Sequence, residues 1–119
     1  MDRETRLQTA PNIWLATARP NGRPHLIPVW FLWLNGNFYF CTAMRSVKAR
    51  NLMANPRASV ALEDGNQPVI AECAARLVAR PYSDELIRGF KEKYDWDVRK
   101  TSQYDSMFEL QPYKWLMSS

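Results

Sequence analysis

The sequence predicts a mainly β protein, an antiparallel β-barrel with short helices. Two Asn-Gly dipeptides, Asn21-Gly22 and Asn35-Gly36, separate stretches rich in aromatic and β-branched residues, and this dipeptide is a strong signal for a β-hairpin. About six or seven such stretches occur, with two helical patterns among them. Closing a sheet into a barrel removes the exposed edges that such strands would otherwise leave. At 119 residues the chain is expected to form one domain, residues 1–119.

The first three strands are expected to follow one another as a meander. They are predicted over residues 13–18, 24–34 and 37–42, and the short turns between them leave no room for a crossover helix. Apolar side chains occupy both faces of the second strand, although an antiparallel strand usually shows one face to water. The second face therefore needs a cover, and a second copy of the chain in a homodimer is the simplest one.

Pro28 lies in the middle of the second predicted strand. A proline cannot donate to the hydrogen-bond ladder, so a local break in strand pairing is expected there. The break would leave backbone groups of Val29 and Trp30 open to a partner such as a flavin ring, whose edge needs donors and acceptors and whose face needs apolar cover. A bulge in a barrel is the alternative interpretation.

A short helix with Ser46 as its N-cap is expected to follow the third strand and to end before Pro56. Ala49, Leu52 and Met53 recur at helical spacing and are predicted to form its buried stripe. The remaining predicted elements are strands over residues 57–63 and 68–79 and a helix over 84–94 capped by Ser83. Residues 106–111 and 113–117, on either side of Pro112, are expected to form the last strand or two.

The charged residues are unevenly distributed along the chain. Residues 5–62 contain seven Arg or Lys and no Asp or Glu, and the other residues hold nine basic and all twelve acidic side chains. Within the acid-free part, Arg45, Ser46 and Lys48 lie at the start of the predicted helix, where free N–H groups and the helix dipole favour an anion. These residues are predicted to bind a phosphate, with the Thr42 hydroxyl nearby. A solvated cationic cluster is the alternative.

Other chemistries find little support. His25 is the only histidine and has no Ser, Cys or acid near it in a recognisable order, so we expect a structural or solvent-facing role and assign no catalytic side chain. Cys41 and Cys73 lack metal-ligand spacing and are predicted to be free thiols, without a metal. The longest apolar run, residues 26–34, is shorter than the ~20 residues of a membrane helix. Without a recognisable secretory signal, a cytoplasmic protein with no membrane partner is expected.

Several short motifs follow one another in residues 13–78. They are Leu15-Ala16-Thr17, Asn21-Gly22-Arg23-Pro24-His25, Ile27-Pro28-Val29-Trp30-Phe31, Phe40-Cys41-Thr42, Ser46-Val47-Lys48-Ala49-Arg50-Asn51-Leu52 and Asn55-Pro56-Arg57. In this order they resemble the pyridoxamine 5′-phosphate oxidase-like split-barrel family. The resemblance implies a six-stranded antiparallel split β-barrel of the FMN-binding type. It also implies a homodimer with FMN, or in one branch the 8-hydroxy-5-deazaflavin coenzyme, at the subunit interface.

The same resemblance assigns residues to a cofactor site. The ring would lie along the second strand, and Ser46 and Lys48 would hold the phosphate, with Arg45 replacing a missing basic residue. Gln67 resembles a glutamine that the second subunit sends to the flavin. The implied cofactor-binding residues are Pro28, Val29, Trp30, Cys41, Thr42, Arg45, Ser46, Lys48 and Gln67.

The chain also departs from the oxidase pattern. That pattern has an Arg and a Lys where this chain has Leu26 and Phe31, an Arg where it has Val47, and a C-terminal Arg motif that is absent from residues 111–119. These departures argue against pyridoxamine phosphate as the substrate and favour the branch of small flavin- or deazaflavin-dependent reductases. The predicted function is therefore that of an oxidoreductase in which FMN transfers a hydride to an unidentified small substrate, with NAD(P)H as a further candidate partner.

Three alternatives remain open at this point. A deazaflavin-dependent reductase, or a non-enzymatic flavin store or sensor, would use the same pocket. A basic barrel could also stack single-stranded nucleic acid on its aromatic residues, but these are expected to be buried in the strands, so no nucleic-acid partner is predicted. Trp96, Tyr104 and Trp115 are further pocket candidates without a positional argument.

Overall fold

Seven antiparallel strands form one sheet in the computed structural model, which describes residues 1–118. The strands are Ile13–Ala18 (β1), Pro24–Val29 (β2), Leu32–Leu34 (β3), Asn37–Thr42 (β4), Arg57–Ala61 (β5), Val69–Leu77 (β6) and Ser106–Ser118 (β7). The helices are Arg3–Thr9 (α1), Val47–Ala54 (α2) and Asp84–Tyr94 (α3), with a 3₁₀ turn at Val98–Lys100. None of the helices within residues 1–118 is long and apolar enough to cross a membrane.

The sheet is curled into an open barrel. Its strand order is β2-β1-β5-β6-β7-β4-β3, so β2 and β3 form the two edges. Only Trp30 and Phe31 connect these two edges, and such a connection spans about 10 Å at most. The edges must therefore approach each other at this point. The predicted mainly β split-barrel architecture is confirmed, with seven strands where the resemblance implied six.

The second predicted strand is broken, and its prediction as one element over residues 24–34 was wrong. The chain leaves β2 at Val29, crosses to the opposite edge, and pairs with β4 only from Leu32 onward. The expected three-strand meander is therefore two separate hairpins. The break also lies after Pro28 and not at it, because Pro28 still pairs with Trp14 of β1. Pro28 is on the edge strand β2, where a missing N–H group is tolerated.

Helix α3 holds the crossing between β2 and β3. The Tyr94 hydroxyl accepts a hydrogen bond from the N–H of Phe31 at 3.0 Å. The same hydroxyl lies 2.9 Å from the carbonyl oxygen of Phe31 and 2.8 Å from that of Pro11, and it can donate its proton to either oxygen. The Lys93 ammonium also donates to the Phe31 carbonyl, at 2.9 Å. Backbone groups that no strand partner satisfies are thus paired by two side chains at the end of α3.

The last strand is continuous through Pro112, where the sequence left open one strand or two. Strand β7 pairs with β4 and with the whole length of β6, and the register with β6 shifts between Ile70 and Ala71 and again between Glu72 and Cys73. Cys73 lies opposite Pro112 at the second shift. A proline is compatible with a strand at such an irregularity because no ladder hydrogen bond is required of it there.

Helix α1 was not predicted. Asp2 caps it by accepting the N–H of Thr5 at 2.8 Å, and this bond lowers the pKa of the exposed Asp2 carboxyl. Leu7 is its one buried residue, which is too little apolar periodicity for sequence reasoning to recognise. Tertiary contacts hold the helix, including a 2.8 Å hydrogen bond from the Trp33 indole to Glu4.

Helices α2 and α3 begin as the sequence predicts, because Ser46 and Ser83 cap them by accepting the N–H groups of Ala49 and Leu86. The buried stripe of α2 was predicted only in part. Ala49 and Leu52 are buried, but Met53 is 57% exposed. Asn51 is buried in its place, and its amide donates to the Thr17 hydroxyl at 3.0 Å.

Two groups of buried side chains form the core. The larger group fills the barrel, where Phe40 and Phe108 pair across β4 and β7 with their ring centroids 5.6 Å apart. The smaller group packs α3 against the outside of β3, β4 and β7, around Phe90, Leu32 and Met107. The connection between α3 and β7 is held in place by this second group.

Candidate functional site

A cavity of about 390 Å³ opens beside the crossing between β2 and β3. This volume lies within the usual range of about 300–1,000 Å³ for small-molecule sites. The lining comes from six parts of the chain: the approach to β1, the end of β2, the crossing itself, β4, the first turn of α2, and the connection after α3. The lining residues are Asn12, Pro28, Val29, Trp30, Cys41, Lys48, Trp96 and Tyr104.

Aromatic rings form one wall of the cavity. Trp30 stacks on Tyr94 with centroids 4.4 Å apart and planes 6° from parallel, and the edge of Trp96 meets Trp30 at 6.3 Å. Tyr104 in turn packs edge to face with Trp96 at 5.8 Å. Because Tyr94 is itself held by three backbone atoms, Trp30 has a fixed backing although its side chain is 51% exposed. The wall therefore offers a rigid apolar surface to a planar ligand.

Lys48 supplies the positive charge of the cavity. Its side chain is half-buried, and burial lowers its pKa because water that would solvate the ammonium is excluded. Within residues 1–118 neither a hydrogen-bond acceptor nor a carboxylate pairs with this ammonium. A partly desolvated cation without a counter-ion favours an anion as its partner.

Thr42 and Ser46 lie together next to α2. Their hydroxyl oxygens are 3.0 Å apart, and Ser46 also accepts the N–H of Ala49 at 3.2 Å. Thr42 is fully buried. Both hydroxyls therefore have partners within the protein, and the cap fixes the start of the helix that carries Lys48.

Arg45 and Gln67 do not line the cavity. Both are exposed, Arg45 in the turn before α2 and Gln67 in the connection between β5 and β6. The structure thus brings together Pro28, Val29, Trp30, Cys41 and Lys48, with Thr42 and Ser46 behind them. For all nine predicted residues, including Arg45 and Gln67, a role in cofactor binding stays a prediction.

Neither cysteine is activated as a nucleophile. Burial raises the pKa of both Cys41 and Cys73 to about 12, so each is a neutral thiol near pH 7. Both are free, as predicted. No group of His, Cys, Asp or Glu side chains that could hold a metal ion occurs in the described part of the chain.

Sequence reasoning missed Asn12 and left Trp96 and Tyr104 without a position. The two aromatic residues come from the polar segment after α3, and only the packing of that segment brings them to the cavity. Trp115 lies elsewhere, packed against Trp33 at 6.1 Å and beneath the guanidinium of Arg3 at 4.3 Å. Aromatic residues in an otherwise polar connection were the only available signal.

Residues 3–117 match the family model described as pyridoxamine 5′-phosphate oxidase. The chain belongs to this family. The resemblance seen in the sequence motifs is therefore confirmed over nearly the whole chain. No protein of curated function matches the sequence significantly.

Solved structures show how widely this family fold is shared. The haem-storage protein HutZ of Vibrio cholerae superposes with a TM-score of 0.82 at 20% identity, over 99% of this chain and 96% of HutZ. An F420 reductase gives 0.72 at 20% identity over 94% of both chains. An FMN-binding protein related to pyridoxamine 5′-phosphate oxidase from Nostoc punctiforme gives 0.62 at 22% identity, over 92% and 74% of the two chains. At these identities the likeness shows the fold alone.

Proposed function

We propose that this member of the family binds a flavin, most simply FMN, in the cavity beside Trp30 and acts as an oxidoreductase on a small molecule. One observation carries the proposal: the cavity joins a rigid aromatic wall to the unpaired, half-buried ammonium of Lys48. A flavin nucleotide has the matching form, a planar ring at one end and a phosphate at the other. The FMN-binding relative from Nostoc punctiforme is consistent with this choice.

The residues present fit such a ligand. Pro28 and Val29 come from an edge strand whose outer backbone groups have no strand partner, so these groups are available to the polar edge of a ring. Trp30, backed by Tyr94, offers a flat surface for the ring. Lys48, on the first turn of α2, would contribute a charge-assisted hydrogen bond to a phosphate.

When bound, a flavin supplies the electron and hydride chemistry itself. The residues of this chain bind and orient it. No carboxylate or imidazole lines the cavity within residues 1–118, and Cys41 remains protonated at neutral pH. We therefore assign no general acid or base, and the contribution of the protein is orientation and the exclusion of water.

We further propose that two copies of the chain meet over the cavity. Leu26 and Trp30 are 61% and 51% exposed, and Trp14 on the neighbouring strand is 38% exposed. Pro28, also exposed, lies opposite Trp14 in the pairing of β1 with β2. The face that the sequence predicts to be covered is thus open in a single chain, and apolar patches of this kind mark interaction sites.

Sedimentation equilibrium at micromolar concentration tests the dimer. The expected result is twice the mass of one chain. Leu26→Glu should shift the protein toward the monomer because it places a charge in an apolar interface. Met53→Glu is the control, since Met53 is similarly exposed but lies on α2. A monomeric wild-type protein would contradict this proposal.

The flavin proposal is tested by the absorption spectrum of the purified protein and by mass identification of any released chromophore. The expected result is FMN. A deazaflavin would identify the alternative cofactor, which the fold shared with an F420 reductase makes relevant. Reconstitution with FMN, riboflavin and a deazaflavin follows if no chromophore copurifies. Failure to bind any of the three would refute the proposal.

Turnover separates an enzyme from a non-enzymatic flavin store or sensor. The shared fold of a haem-storage protein shows that this architecture also serves storage. An oxidoreductase is expected to oxidise NADPH or NADH, or to reduce an acceptor from a panel. This turnover should occur only when the protein carries its cofactor. Cofactor binding without turnover on the whole panel would favour the store or sensor.

A further inference from the structure

His25 carries the only buried side-chain nitrogen or oxygen without a hydrogen-bond partner in the described residues, its ring atom Nδ1. A buried polar atom that is left unpaired costs stability, and such atoms are rare in native proteins. An unpaired atom of this kind calls for a partner that the chain itself does not contain. The sequence offered no such role, because His25 is isolated from acids and nucleophiles along the chain.

The strand register places His25 next to α2. His25 pairs with Thr17 across β2 and β1, and directly opposed residues in an antiparallel pair share one face of the sheet. Thr17 is buried on that face and accepts a hydrogen bond from Asn51 of α2 at 3.0 Å. Asn51 follows Lys48 by three positions, so both lie on one side of the helix. His25 and Lys48 therefore converge from β2 and α2.

Arg19 completes a cationic corner at the same place. Its guanidinium donates to the Pro24 carbonyl at 2.9 Å, which holds it beside the start of β2. Burial lowers the pKa of His25, and the charges of Arg19 and Lys48 lower it further. No carboxylate acts on His25 from β1, α2 or the hairpin turn, in keeping with the absence of acids from residues 5–62. The corner thus holds two cations and an unpaired imidazole with no anion.

We propose that His25, Lys48 and Arg19 form the phosphate-binding corner of the cofactor site, with Nδ1 of His25 as a direct hydrogen-bond donor to a phosphate oxygen. This inference rests on the flavin function proposed above and assigns the ligands of its phosphate. It keeps Lys48 from the sequence prediction, which gave that role to Arg45, Ser46 and Lys48, and it places His25 and Arg19 beside Lys48 instead of Arg45 and Ser46. Arg45 is exposed, and the Ser46 hydroxyl already caps α2 and contacts Thr42.

Phosphate binding should be coupled to protonation of His25. In the free protein the pKa of the imidazole is lowered from its ordinary value because burial and two neighbouring cations oppose its charged form. A bound phosphate favours the charged form and raises this pKa. The affinity for phosphate is therefore greatest at acidic pH, and it decreases as the pH rises through the higher pKa that His25 has in the complex. The titration of the phosphate itself, near pH 6, acts in the opposite direction and is common to all variants.

Proton NMR of the untagged protein tests the corner directly, because a sequence with one histidine gives one set of imidazole resonances. Inorganic phosphate is the probe, so the measurement does not require flavin binding. We expect phosphate to shift the His25 resonances and to raise the pKa that they report. Unchanged resonances at saturating phosphate, with an unchanged pKa, would overturn the proposal.

Affinities for FMN and riboflavin supply the second measurement, because riboflavin lacks the phosphate. His25→Leu should weaken FMN binding roughly tenfold and leave riboflavin unchanged. His25→Asn should restore most of the FMN affinity, because its amide can reach the position of Nδ1, but without the histidine-linked pH dependence. Arg50→Gln, at an exposed position on α2, is the matched control and should change neither affinity.

The outcomes separate this inference from the proposed function. Suppose that wild-type protein binds FMN and riboflavin equally well and that phosphate does not shift the His25 resonances. These results would refute the phosphate-binding corner and leave the flavin site intact. A phosphate response without any flavin binding would support the corner and count against the flavin. Equal effects of His25→Leu on both flavins would show a structural role for His25, and would overturn the direct contact.

Discussion

Lys48→Ala is expected to weaken FMN binding by roughly ten- to a hundredfold. The reason is that its ammonium is the one charge that lines the cavity, is partly desolvated, and has no partner within residues 1–118. A phosphate that replaced the missing counter-ion would form a charge-assisted hydrogen bond away from bulk water. Riboflavin should lose much less affinity, because it carries no group for the lysine to bind.

Fluorescence titration with each flavin measures both dissociation constants. Arg50→Ala is the control: it removes an equal charge from α2, two residues away, at an exposed position that does not line the cavity. Its effect should stay within about twofold, as expected for a screened surface charge. An FMN dissociation constant for Lys48→Ala that matches that of Arg50→Ala would disprove direct phosphate binding by Lys48.

Features set by short stretches of sequence could be predicted. Ser46 and Ser83 begin their helices where expected because a capping side chain acts within three residues of itself. The turn at Asn35-Gly36 forms as expected because both residues adopt the positive φ that Asn and Gly tolerate. For the same reason, the first turn of α2 and its lysine could be placed before any tertiary contact was known.

Features that depend on distant contacts could not be predicted. The sequence of residues 29–33 is uninterruptedly apolar. At the break in the strand, Tyr94 and Lys93, more than 60 residues later, pair with the backbone of Phe31. Asn12, Trp96 and Tyr104 reach the cavity through the same packing. The strand predicted to bind a ring and the cationic loop were local signals, whereas the remaining walls of the cavity come from how the barrel closes.

The crossing between β2 and β3 links this closure to the site. Trp30 faces the cavity while the next residue, Phe31, points into the core and is fully buried. Lys93 lies with its ammonium 3.8 Å from the centroid of the Phe31 ring. Burial lowers the pKa of this lysine to about 8, so it remains mostly protonated near neutral pH. Trp30 thus forms part of the cavity wall, and Phe31 anchors the same crossing in the core.

Phe31→Ala is accordingly expected to reduce the free energy of unfolding by about 3–5 kcal/mol. The truncation leaves a cavity beside Phe38, whose ring centroid is 5.8 Å away. It also removes the aromatic face from a partly desolvated ammonium, a contact of about 0.5–2 kcal/mol. Since typical domains are stable by only about 5–15 kcal/mol, the variant is expected to unfold at markedly lower urea concentration.

Urea denaturation followed by tryptophan fluorescence measures the change. Met53→Ala is the control, because Met53 is 57% exposed and its replacement keeps a good helix former on α2, so its effect should stay within about 0.5 kcal/mol. A loss below about 1 kcal/mol for Phe31→Ala, with an unchanged denaturation slope, would mean that the crossing does not depend on this ring. Because Trp30 is the residue next to Phe31, Phe31→Ala should also bind flavin more weakly under conditions where the variant is still folded. A loss of both stability and flavin affinity is expected only if Phe31, which anchors the crossing, also positions Trp30 in the cavity wall.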